Sequence, residues 1–117
     1  MKIHLFDKDQ HTETFPAGTV VFKEGDKGDE MFSVIDGVVE IHLRGKVVDT
    51  MEAGDVFGEM ALVEELPRAA SAVVKADAKL VRIDKRRFMF LVQQNPFFAL
   101  QLMTIMADRL RRMNDKV

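Results

Sequence analysis

Two short runs, Gly58-Glu59-Met60-Ala61-Leu62 and Pro67-Arg68-Ala69-Ala70-Ser71, hold the residues best suited to chemistry in this chain. Gly58 lets a ligand approach the main chain, because no side chain intervenes. Glu59 to Leu62 are good helix formers and predict a single helical turn. Its first amides have no partner within the turn and carry a positive local potential that welcomes an anion. Arg68 adds a planar, permanently charged fork suited to phosphate oxygens, and Pro67 stiffens the approach to it. Glu59 is decisive. A carboxylate beside an anion site repels bare phosphate or sulfate, yet it accepts hydrogen bonds well from a ligand that also offers hydroxyls. Phosphate and hydroxyl within one helical turn, ~5 Å, describe a ribose phosphate held in a ring. The competing reading is that Glu59 and Arg68 pair only with each other.

These residues need a frame, and the alternation of the chain supplies one. Val39, Ile41 and Leu43 alternate with Glu40, His42 and Arg44, the period of a strand with one buried face. Asp36-Gly37, after Met31 to Ile35, predicts a two-residue hairpin. Arg44-Gly45 predicts a second turn into a strand over 46–51. Thr19 to Phe22 is fenced by Pro16-Ala17-Gly18 and by the polar turn Glu24 to Asp29. Further strands are expected over 70–75 and 78–83. Many short strands with glycine turns suggest a compact β-barrel or jelly roll over about 12–84. The period then changes. Asp84 can cap a helix over about 85–93 in which Phe88, Leu91 and Val92 share a face. Asn95-Pro96 predicts a capped start for a second helix over about 96–115. Its stripe is Ala99, Leu102, Met103, Met106, Leu110 and Met113. Phe97, Phe98, Leu100 and Ile105 make its first half apolar nearly all round, so more than one side must be covered. A ligand or a second copy of the chain can supply the second cover.

Composition narrows the function classes. The 117 residues fit one domain, 1–117, with 47% hydrophobic and 31% charged residues. No cysteine is present, which excludes disulfides and thiol chemistry and fits a reducing, cytoplasmic setting. A net charge of −2 argues against nucleic acid as the main partner. The apolar stretch 96–107 is broken by Gln101 and Thr104 and is too short to span a bilayer. His4, His11 and His42 show no metal-ligand spacing. No catalytic constellation stands out, so neither an enzyme nor a cofactor is expected.

The two runs together resemble the phosphate-binding cassette of cyclic nucleotide-binding domains. The likeness extends over Glu24-Gly25-Asp26, Val34 to Ile41 and Gly54-Asp55-Val56-Phe57, and so over nearly the whole chain. It implies an eight-stranded jelly-roll β-barrel flanked by α-helices. By this resemblance Glu59 accepts the ribose 2′-hydroxyl. Arg68 pairs with the cyclic phosphate beside Gly58 and the amides of Met60, Ala61 and Ala69, while Ile41 and Val48 wall the sugar and base. Family members selective for cGMP often carry threonine directly after the cassette arginine. Ala69 stands there, which favours cAMP, with cGMP as the second ligand.

On the C-terminal helix Met106, Arg109 and Leu110 are candidates for covering the base. They suit core or dimer packing equally well. Bacterial regulators of the family continue into a DNA-binding helix-turn-helix. With Val117 as the last residue, the expectation is a module without that output, with no DNA or membrane partner and with an effector of unknown identity. Two readings follow: a non-catalytic cyclic nucleotide sensor, or a non-catalytic scaffold of the same fold that dimerises through its C-terminal helix and ignores nucleotides.

Overall fold

In a computed structural model the residues described are 1–115. They divide into a sheet unit, Lys2–Lys85, and a helical unit from Arg86 onward with Met1. Two long antiparallel strands organise the sheet: β3 (Glu30–Leu43) and β6 (Ser71–Asp84), paired from Glu30↔Asp84 to His42↔Ser71. Four short strands border them. On β6 lie β1 (Thr12–Phe15) and β2 (Val20–Phe22); on β3 lie β5 (Val56–Phe57) and β4 (Lys46–Met51). Alternation drives the burial. Phe32 and Val34 of β3, Ala72, Val74, Ala78 and Leu80 of β6, Met51 of β4 and Phe57 of β5 meet in one apolar cluster with Val39.

The mainly-β plan with C-terminal helices holds, but the expected eight strands of a closed barrel are corrected: among the described residues there are six, in a sheet that does not close. The reason lies at Asp36-Gly37, which is no hairpin. Gly37 sits inside β3 with φ 91°, where the ladder to β6 shifts register. A Cβ there would come within 2.3 Å of the Asp77 carbonyl oxygen. The glycine therefore serves a bulge and a close strand approach. β3 bends and continues where a turn was predicted, and the segments expected at 70–75 and 78–83 likewise form the single strand β6. At Arg44-Gly45 the predicted turn does occur, with φ 52° and 79°.

In the helical unit, α2 (Lys85–Gln94) begins with the last residue of the sheet unit and gives way at Asn95 to α3 (Pro96–Asn114). Pro96 occupies the first turn, but the Asn95 side chain makes no capping bond; its carbonyl accepts the Phe98 N–H instead. Phe88 and Phe98 meet edge to face at 6.1 Å. The expected apolar stripe of α3 splits in two. Phe98, Leu102 and Ile105 are buried, whereas Phe97, Leu100, Met103, Leu110 and Met113 are exposed. No described helix is long and apolar enough to cross a membrane.

Candidate functional site

β5 leads directly into the site. Phe57 is anchored opposite Phe32, Gly58 turns the chain with φ 79°, and the helix α1 (Met60–Glu64) follows. Glu59 caps α1 through its carbonyl, which accepts the Leu62 and Val63 N–H groups. Its side chain makes no capping bond and is 3% exposed. Glu65 ends the helix in a left-handed conformation and donates its N–H to Ala61. The chain then returns through Pro67 to Arg68. There it is strapped to the polar turn before β3: Arg68 N–H donates to Asp26 O, and Gly25 N–H donates to Arg68 O, each at 2.8 Å.

Arg68 is the most buried cation among the described residues, 7% exposed. Its Nη1 donates to Gly58 O at 2.9 Å and its Nη2 to Glu30 O at 2.7 Å. The guanidinium lies 4.0 Å over the Phe22 ring. The Nε–H, by contrast, is buried and has no acceptor. Such a donor costs about 1–3 kcal/mol until an acceptor reaches it. Burial pulls the Arg68 pKa down, while the carboxylates of Glu30, Asp29, Asp26 and Glu59 oppose that pull. An arginine remains charged under these conditions.

The cassette residues therefore gather on one loop. Gly58, Glu59, Ala61 and Arg68 are close or buried together, with Met60 and Ala69 exposed at its surface. Ile41 is half-buried against the core cluster and pairs with Asp49. Val48 lies beside that pair, at a register shift between Asp49 and Val47, and is half exposed. Met106, Arg109 and Leu110 lie on α3, the first two half-buried and the last exposed. An open groove of about 430 Å³ runs elsewhere on the sheet, past Lys23, His42, Arg44 and Ser71; none of the expected site residues lines it. Buried charge lies instead on the Gly58–Ala69 loop, at Glu59 and Arg68.

Three partners of Arg68 escape a reading of the sequence. Phe22 supplies the ring beneath it and Glu30 a carbonyl. Gly28 supplies room: a Cβ there would lie 2.4 Å from Nε and 2.8 Å from the Ala61 Cβ. Unlike most glycines of the chain, Gly28 does not have a positive φ, so space is what it provides. Within a polar turn already rich in glycine and aspartate, no local signal marks it. Among the described residues no cluster of three metal-ligating side chains occurs.

Comparison with known proteins identifies the family. Residues 12–95 match the family model described as cyclic nucleotide-binding domain. The chain is similar to the Pycsar effector protein XpPycTIR of Xanthomonas perforans, at 37% identity over 87% of this chain and 34% of that protein. It is also similar to the CRP-like cAMP-activated global transcriptional regulator of Mycobacterium tuberculosis, at 32% identity over 88% of this chain and 48% of the relative. The catabolite activator protein of Thermus thermophilus superposes with a TM-score of 0.81 at 31% identity, covering 89% of this chain and 51% of that structure. The chain thus spans less than half the length of both curated relatives. It belongs to the cyclic nucleotide-binding domain family.

Proposed function

We propose that this chain is a non-catalytic regulatory module that binds cAMP at the Gly58–Ala69 loop, with cGMP as the weaker ligand. The observation that carries this reading is Arg68, a buried cation whose Nε–H lacks an acceptor, beside the buried carboxylate of Glu59. A cyclic phosphate oxygen would satisfy that N–H and offset the desolvation of the guanidinium. The Glu59 carboxylate would accept the ribose 2′-hydroxyl, so one ligand meets both charges. Amides of Met60, Ala61 and Ala69 would add donors to the phosphate, and Ile41 and Val48 would flank the sugar and base. The relatives' names support the ligand class, since one is cAMP-activated. Ala69, which brings no hydroxyl next to Arg68, supports cAMP over cGMP. A cytoplasmic site of action belongs to the same proposal.

Calorimetry with cAMP and cGMP tests it. One site, tighter for cAMP, is expected, and Arg68→Ala should cost roughly 2–5 kcal/mol of binding. Conversion of cAMP to AMP by the protein would contradict the non-catalytic part. The exposed residues Phe97, Leu100, Met103 and Leu110 on α3 favour a further element of the reading, a homodimer built along this helix. They also keep the second reading open, a scaffold of the same fold indifferent to nucleotides. A dimer whose mass and stability ignore every cyclic nucleotide would establish that scaffold instead.

A further inference from the structure

Glu30 touches two arginines with two different groups. Its carbonyl accepts Arg68 Nη2 at 2.7 Å, and its carboxylate accepts Arg82 Nη1, also at 2.7 Å. Arg82, on β6, is itself clamped from a third strand: Nε and Nη2 donate to the two carboxylate oxygens of Glu13 on β1, at 3.0 and 3.1 Å. Its guanidinium lies over the Phe32 ring at 5.1 Å. Phe32 stacks on Phe57 at 5.3 Å, and both meet Phe22, the ring beneath Arg68. Two arginines thus sit against one aromatic trio and share one acidic residue.

The position of Glu30 makes this arrangement consequential. It is the first residue of β3, following the turn that straps Arg68. A strand end is where a ladder frays first. Arg82 pins that end by its side chain and so limits movement of the carbonyl on the same residue. It also neutralises the Glu30 carboxylate, the strongest acidic influence on Arg68. A guanidinium facing an uncompensated carboxylate has less net attraction to offer an incoming anion.

We propose that Arg82 is a positioning residue for the cassette: by holding the Glu30 carboxylate it fixes the Glu30 carbonyl that orients Arg68. The consequence for affinity rests on the nucleotide reading above; the consequence for Arg68 itself does not.

Two measurements separate these dependencies. One is the Nε–H proton resonance of Arg68 in nucleotide-free protein, assigned with Arg68→Lys. The other is cAMP affinity by calorimetry. In Arg82→Met the resonance should shift and exchange faster with solvent, and affinity should fall about tenfold, the scale of one lost charged hydrogen bond. Arg82→Lys, which keeps the charge, should recover part of both. If Arg82→Met does not fold, Glu13→Gln, which loosens Arg82 while leaving it in place, gives the same comparison with smaller shifts. An unmoved Arg68 resonance, even with a lowered melting temperature, would overturn the proposal and leave Arg82 a plain structural clamp. So would wild-type cAMP affinity in a variant whose resonance has moved. If the wild-type protein takes up no cAMP, the nucleotide reading fails, and the resonance alone decides the role of Arg82.

Discussion

Arg68 is held by geometry that tolerates little change, and Gly28 is its most exposed weakness. A methyl group at position 28 would overlap Nε and press on Ala61. Gly28→Ala should therefore displace the guanidinium, lower cAMP affinity more than about tenfold and cost about 1–3 kcal/mol of stability, as overpacking does. Calorimetry and urea denaturation read the two effects, and normal cAMP binding by the variant would refute this account of Gly28. Ser33 presents the opposite case. Its hydroxyl is fully buried in β3 with no hydrogen-bond partner. Ser33→Ala removes an unsatisfied polar atom and almost no volume. It should leave stability equal or raise it by up to about 1 kcal/mol, seen as an unchanged or higher urea midpoint. A clear loss would mean that the hydroxyl has a partner after all.

At the scale of elements, the chain announces its helices and its candidate loop better than its strands. The Asn95-Pro96 pair marks the start of α3 because proline can only begin a helix. The candidate loop is legible because Gly58-Glu59-Met60-Ala61-Leu62 and Pro67-Arg68-Ala69-Ala70-Ser71 together resemble a known cassette; Glu59 and Arg68 alone would read equally well as an ion pair. Asp36-Gly37 misleads for a physical reason: a positive φ serves a bulge as well as a turn, and only the facing strand decides which. Phe22, Gly28 and Glu30 are illegible for a related reason, since each meets Arg68 from a segment distant in sequence. The two faces of α3 also need the structure. Leu100, Met103, Ala107 and Leu110 follow alternating three- and four-residue steps, the spacing of a two-helix seam. Leu110→Glu should turn a dimer into a monomer in light scattering while leaving the helical content intact. An unchanged mass for a dimeric protein would place its interface elsewhere.

For the whole molecule, the Glu13–Arg82–Glu30 network joins β1, β6 and β3, and its Glu13 arm adds a small sensitivity of folding to acid. Hydrogen bonding to Arg82 holds the Glu13 carboxyl below its ordinary value of 4.5, against a smaller opposing effect of burial. The folded state therefore favours the carboxylate. Its stabilisation is fully present above pH 4.5 and is lost as pH falls through the lower value of the folded protein. Because the pair is half exposed, solvent screens it and the effect is small. Melting temperature should decline more gently below that pH in Arg82→Met than in wild type; parallel declines would show that Glu13 contributes nothing. If the buried Arg68 and Glu59 serve one cyclic nucleotide, as proposed above, a calorimetric titration of cAMP into wild type and Arg68→Ala will show it. Wild type should give saturable heat, and the variant should bind more weakly by roughly 2–5 kcal/mol. Absence of heat from wild type with millimolar cAMP or cGMP, or equal affinity in both proteins, would contradict the proposal.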